Sequence, residues 1–66
     1  MKLTSAKMIN SAIQHAENNG EYLYVTLPDY RVLRVFHATI NKAREIVLIA
    51  GGQRIVLNQQ ADFYSN

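Results

Sequence analysis

The chain has 66 residues, no cysteine, two histidines and a formal net charge of +2. That length allows one domain and no more. The absence of cysteine excludes disulfides and thiolate metal sites, and the two histidines come without a ligand cluster for structural zinc. A domain this small buries only about 60% of its unfolded chain's surface, so it depends on efficient packing or on self-association.

Hydrophobic residues make up 48% of the chain, a folding composition and not a disordered one. The longest apolar run, residues 46–50, is far short of a membrane span. Residues 1–5 carry one positive charge with no apolar stretch after it, so they do not read as a signal peptide. A cytoplasmic protein is expected. The mildly basic balance permits nucleic-acid contact without requiring it.

Residues 4–19 read as an amphipathic helix. Leu3, Ala6, Ile9, Ile13 and Ala16 recur at helical spacing and form an apolar stripe, with Lys7, Asn10, Gln14 and Glu17 on the polar side. Thr4 is the expected N-cap, with Leu3 stapled on Met8. Gly20 suits the left-handed position that ends a helix. From residue 21 the period changes to two, and strands are expected over 21–27, 30–40, 44–50, 53–58 and 61–65. Their separators are Pro28-Asp29, Asn41-Lys42, Gly51-Gly52 and a turn at 58–60.

The Gly51-Gly52 hairpin sets Ala50 opposite Gln53, Leu48 opposite Ile55 and Ile46 opposite Leu57. A two-residue Asn41-Lys42 loop sets Val35 opposite Leu48 and His37 opposite Ile46. One face then carries Leu33, Val35, Ile46, Leu48, Ile55 and Leu57, and the other Val32, Phe36, Val47, Ile49 and Val56. A flat sheet with one helix hides only one face. The sheet therefore either curls into a small barrel or buries its second face against another copy. The expected class is α+β, mainly β: an N-terminal helix and a four- to five-stranded antiparallel meander.

This order resembles the Sm-like small barrel, and the small bacterial Rho-inhibitor (Rof-like) family that shares it. The resemblance is carried by residues 45–57 (EIVLIAGGQRIVL), by Ala61-Asp62-Phe63 as a closing strand, and by a first strand turning at Pro28-Asp29. It implies an Sm/SH3-like barrel and a binding role. Residues 30–40 contain neither the glycine nor the acidic residue usual in the bent strand of Sm-like proteins, so no RNA-contacting position is carried over.

No catalytic set stands out. Gly51-Gly52 lacks the Lys and Ser or Thr of a phosphate-binding loop. His37, with Arg31, Arg34, Tyr24 and Glu45, has the residue types of a metal-independent ribonuclease; because no partner is fixed by spacing, it reads first as a strand histidine at the sheet margin. His15 is a helix-surface histidine. Arg31, Arg34, Arg44 and Arg54 fall on expected strands, with Tyr22, Tyr24 and Tyr30 near them. Arginine on phosphate and tyrosine under a base suit single-stranded nucleic acid, while edge-protecting charges explain the arginines as well. Phe63 and Tyr64 either close the barrel or anchor a partner.

These features point to a non-catalytic, self-associating module with no cofactor, metal or membrane partner. Its candidate nucleic-acid residues are Arg31, Arg34, Arg54, Tyr22, Tyr24, Tyr30 and His37. A protein-directed regulator or inhibitor of a nucleic-acid enzyme is the alternative, and a small ribonuclease a third.

Overall fold

The computed structural model describes residues 3–57 and 61–66. One helix, α1 (Ala6–Asn18), precedes five strands: β1 (Leu23–Thr26), β2 (Val32–Ile40), β3 (Ile46–Ala50), β4 (Gln53–Leu57) and β5 (Asp62–Ser65). The sheet is antiparallel in the order β4-β3-β2-β1-β5, so the last strand returns to pair with the first. The class is α+β and mainly β, as the change of period predicts. Met1, Lys2 and the turn expected at 58–60 lie outside the described residues.

The apolar stripe packs as expected: Ala6, Ile9 and Ala16 are buried, with Leu3, Ala12 and Ile13 partly so. The cap is Ser5 and not Thr4. Ser5 is extended, and its Oγ accepts the Met8 N–H at 3.1 Å. With Ser5 as the cap, Leu3 and Met8 no longer occupy the two staple positions; Met8 is exposed and Leu3 packs on the core. At the other end Gly20 takes φ 72°. Its N–H donates to Glu17 O and that of Glu21 to Ala16 O, the paired bonds that close a helix on a left-handed glycine.

Asn10 does not belong to the solvated side of the helix. Its Nδ2 donates to Ala38 O and its Oδ1 accepts the Ala38 N–H, both at 2.8 Å. A strand residue points its N–H and C=O to the same side, and β1 pairs with β2 only at residues 32–34. The Asn10 amide, with a peptide's own donor and acceptor, stands in for a strand neighbour along the far half of β2.

A bulge between Val35 and His37 interrupts the β2–β3 ladder. Val35 and Ala38 are buried on either side of it, while Phe36 and His37 are both exposed. An extra residue bends its strand and increases the local twist. The bend curls the sheet, barrel-like, around one core that includes Ile9, Leu23, Val25, Val35, Leu48 and Phe63.

The β3–β4 register is the expected one. Gly51 and Gly52 take φ 57° and 76°, as a two-residue hairpin turn demands. Gly51 also passes so close to Leu33 that a Cβ there would meet Leu33 Cδ2 at 2.8 Å. The β2–β3 register departs from expectation: Val35 faces Ala50, Ala38 faces Leu48 and Ile40 faces Ile46. The bulge is one cause and the loop is the other. The Asn41 N–H donates to Glu45 O, the Arg44 N–H to Asn41 O, and Arg44 takes φ 63°. This is a three-residue loop whose last residue is left-handed.

The β1–β2 connection repeats the device, with Leu27 N–H on Arg31 O, Tyr30 N–H on Leu27 O, and Tyr30 at φ 67°. Arg31 and Arg44 therefore lie in loops, not on the strands expected to hold them. A non-glycine residue held left-handed costs on the order of 1 kcal/mol. Arg44→Gly is accordingly expected to raise the unfolding free energy by about 0.5–1 kcal/mol in a urea titration; a lowered midpoint would contradict this.

Val32, Phe36, Ile49 and Val56 are exposed on the outer side of the sheet, the apolar second face that alternation predicts. Val47 is the exception, buried at 1% exposure. It lies on the middle strand of β2, β3 and β4, flanked in its row by Thr39 and Val56.

Candidate nucleic-acid interface

On β1, Leu23 and Val25 point into the core, so Tyr22, Tyr24 and Thr26 face outward. β5 places Tyr64 opposite Tyr24, and β2 places Arg34 opposite Tyr24 on its other side. One row across three strands thus reads Tyr64–Tyr24–Arg34. The Tyr24 and Tyr64 rings stack, with centroids 5.6 Å apart and planes 22° from parallel. The guanidinium carbon of Arg34 lies 3.6 Å from the centre of the Tyr22 ring and 4.4 Å from that of Phe36. Tyr22 is itself anchored by two backbone hydrogen bonds with Asn66.

Among the described residues Arg34 has no carboxylate partner; the ion pair there is Arg31–Asp29. A guanidinium lying over ring faces keeps the N–H donors at its edge for a ligand. Four aromatic rings and one pre-oriented cation therefore share one surface.

Of the sequence candidates, Tyr22, Tyr24 and Arg34 come together on this surface. The other candidates do not join them. Arg31 Nε donates to Asp29 Oδ2 at 2.7 Å, and Asp29 Oδ1 accepts the Arg31 N–H at 3.2 Å. The Arg31 backbone N–H, and then its guanidinium, hold the Asp29 carboxyl below its ordinary range. The pair lines a groove of roughly 320 Å³, together with Leu27, Pro28, Ile55, Val56 and Leu57. Tyr30, 87% exposed, stands on the same loop. His37 and Arg54 face outward in a separate row, His37–Ile49–Arg54, across β2, β3 and β4.

The ribonuclease set does not converge. Arg31 is tied to Asp29 at one end of β2. Glu45 is tied to Asn41 at the other, accepting from Asn41 Nδ2 at 3.1 Å and donating its own N–H to Asn41 Oδ1 at 2.9 Å. Among the described residues no three of His, Asp and Glu gather as a metal site.

Two rings of the surface, Phe36 and Tyr64, are not among the residues that sequence reasoning picks out for nucleic acid. Alternation carries the signal for Tyr64: with Phe63 turned inward, its neighbour must face out. The same alternation carries Phe36: with Val35 turned inward, Phe36 faces out on the side of Val32.

Fold and surface together define a small α+β, barrel-like domain with an aromatic and cationic patch on the outside of its sheet. No protein-family model, curated protein or solved structure matches the chain. Among the described residues no helix is long and apolar enough to cross a membrane.

Proposed function

We propose that the chain is a non-catalytic binding module that takes single-stranded nucleic acid, RNA or DNA, on the outer face of β5, β1 and β2. The observation that carries this reading is Arg34, laid between the Tyr22 and Phe36 rings without an acidic partner among the described residues, beside the stacked Tyr24–Tyr64 pair. Aromatic faces accept bases of any kind, and a guanidinium suits a phosphate. The strand order and the bent second strand agree with the resemblance to Sm-like barrels and the Rof-like family, which also supports a binding role. A cytoplasmic setting fits such a ligand.

Self-association belongs to the same proposal. Ile40, Ile49 and Val56 lie exposed away from the tyrosine row, and exposed apolar patches mark interaction surfaces. Sedimentation at high concentration is expected to show a species larger than one chain; a clean monomer removes this part.

The test of the main reading is fluorescence anisotropy with a labelled single-stranded oligonucleotide at low salt. Binding is expected, with a blunt duplex of the same length much weaker. Absence of binding to any single strand at low salt overturns the nucleic-acid reading. Capture of a protein partner that survives nuclease treatment would then favour the protein-directed alternative.

A further inference from the structure

We infer that each chain holds a drawn-out single strand through two stacked bases and one phosphate, so that ring faces, more than charge, set the affinity. This rests on the nucleic-acid reading above and gives it a footprint. Tyr22 and Tyr24 are alternate residues of one extended segment and face the same way, which separates them by about 6.6 Å at the usual rise of a strand. That is roughly twice the 3.4 Å per nucleotide of a duplex strand. Successive bases reach both rings only if the backbone between them is extended, which a paired helix does not allow.

Charge on this surface is sparse. Arg34 is the cation that touches the rings, at 3.6 and 4.4 Å. Arg31 is occupied by Asp29. Arg54 belongs to the row beyond the bulge. On the other side of the Tyr64–Tyr24–Arg34 row lies the row Asp62–Thr26–Val32, which places a carboxylate where a further phosphate would have to run. One phosphate, at Arg34, is what the surface accommodates.

Two consequences separate this footprint from a strand tracked by many cations. For single strands the logarithm of affinity falls with the logarithm of salt by about 0.7 for each phosphate neutralised. A slope near −0.7 is therefore expected. In addition, lysine keeps the charge of Arg34 but has neither the plane that lies on Tyr22 and Phe36 nor the fork for a phosphate.

Short labelled oligothymidylate and oligouridylate, titrated between about 50 and 200 mM KCl, test both. The slope should be shallow and alike for the two. Tyr22→Ala and Tyr24→Ala should each weaken binding by roughly 5- to 150-fold, and Arg34→Lys should weaken it nearly as much as Arg34→Ala. None of the three side chains is buried, and circular dichroism checks that each of the four variants folds. A slope of about −2 or steeper, with the tyrosine variants binding like the parent, overturns the footprint while leaving a nucleic-acid binder. No binding by the parent protein at the lowest salt overturns the nucleic-acid reading itself.

Discussion

Phe63→Ala is expected to leave the chain largely unfolded at physiological temperature. Phe63 is the largest of the fully buried side chains, 2% exposed, and it enters the core from β5 opposite Val25. Truncating a buried phenylalanine to alanine costs about 3–5 kcal/mol, the lost transfer energy plus the cavity left behind. A domain of this size has on the order of 3–10 kcal/mol in total, and the chain has no cysteine to hold it together. Phe63→Leu keeps most of the volume and should remain folded with a lowered midpoint. Thermal and urea unfolding by circular dichroism measure both. An alanine variant melting within a few degrees of the parent would mean that β5 contributes little to the core.

Asn10→Ala is the second large effect, expected at about 2–4 kcal/mol. The substitution removes both partners of Ala38 at once. Ala38 is 2% exposed, so water does not easily replace the amide, and a buried unsatisfied group costs about 1–3 kcal/mol. Helix propensity works the other way, since alanine is the better helix former by a few tenths of a kcal/mol. The loss should therefore be assigned to the clasp and not to the helix. Amide hydrogen exchange distinguishes the two. Ala38 should be strongly protected in the parent and exchange quickly in the variant, while amides within α1 change little. Unchanged protection at Ala38 would show that something other than Asn10 shields it.

Much of the fold is legible in the sequence because two local rules are strict here. The 3.6-residue stripe from Leu3 to Ala16 places the helix. The pair Gly51-Gly52 fixes the β3–β4 register residue by residue, since a two-residue loop leaves no slack. The neighbouring register is not legible, for reasons that can be named. Arg44 and Tyr30 occupy left-handed positions where glycine or asparagine is the usual sign, so two three-residue loops pass for shorter turns or strand. The bulge beside Phe36 carries no marker at all. Asn10 looks like any polar helix residue until Ala38 is brought against it from 28 positions away.

The same limits govern the site. Alternation along β1 places Tyr22 and Tyr24 on one face, and Arg34 joins them because β1 and β2 are adjacent. Arg31 is kept from joining by Asp29 two residues before it, a contact made within a loop that the sequence does not mark. Phe36, the alternate residue after Arg34 on β2, joins on the same outward side.

The sheet order bears on how the molecule is assembled in time. Hairpins β2–β3 and β3–β4 close short loops, which is fast and entropically mild. Pairing of β5 with β1 instead joins strands separated by the whole meander, a long-range closure whose entropy must be met before its contacts form. Tyr64 reaches Tyr24 only at that step, so the patch exists in full only on a chain whose β5 has docked. During synthesis β5 emerges after the other four strands, and a nascent or truncated chain lacking it would present Tyr24 without its stacking partner. Ligand binding to the patch would in turn favour the docked strand, coupling occupancy to completion of the fold.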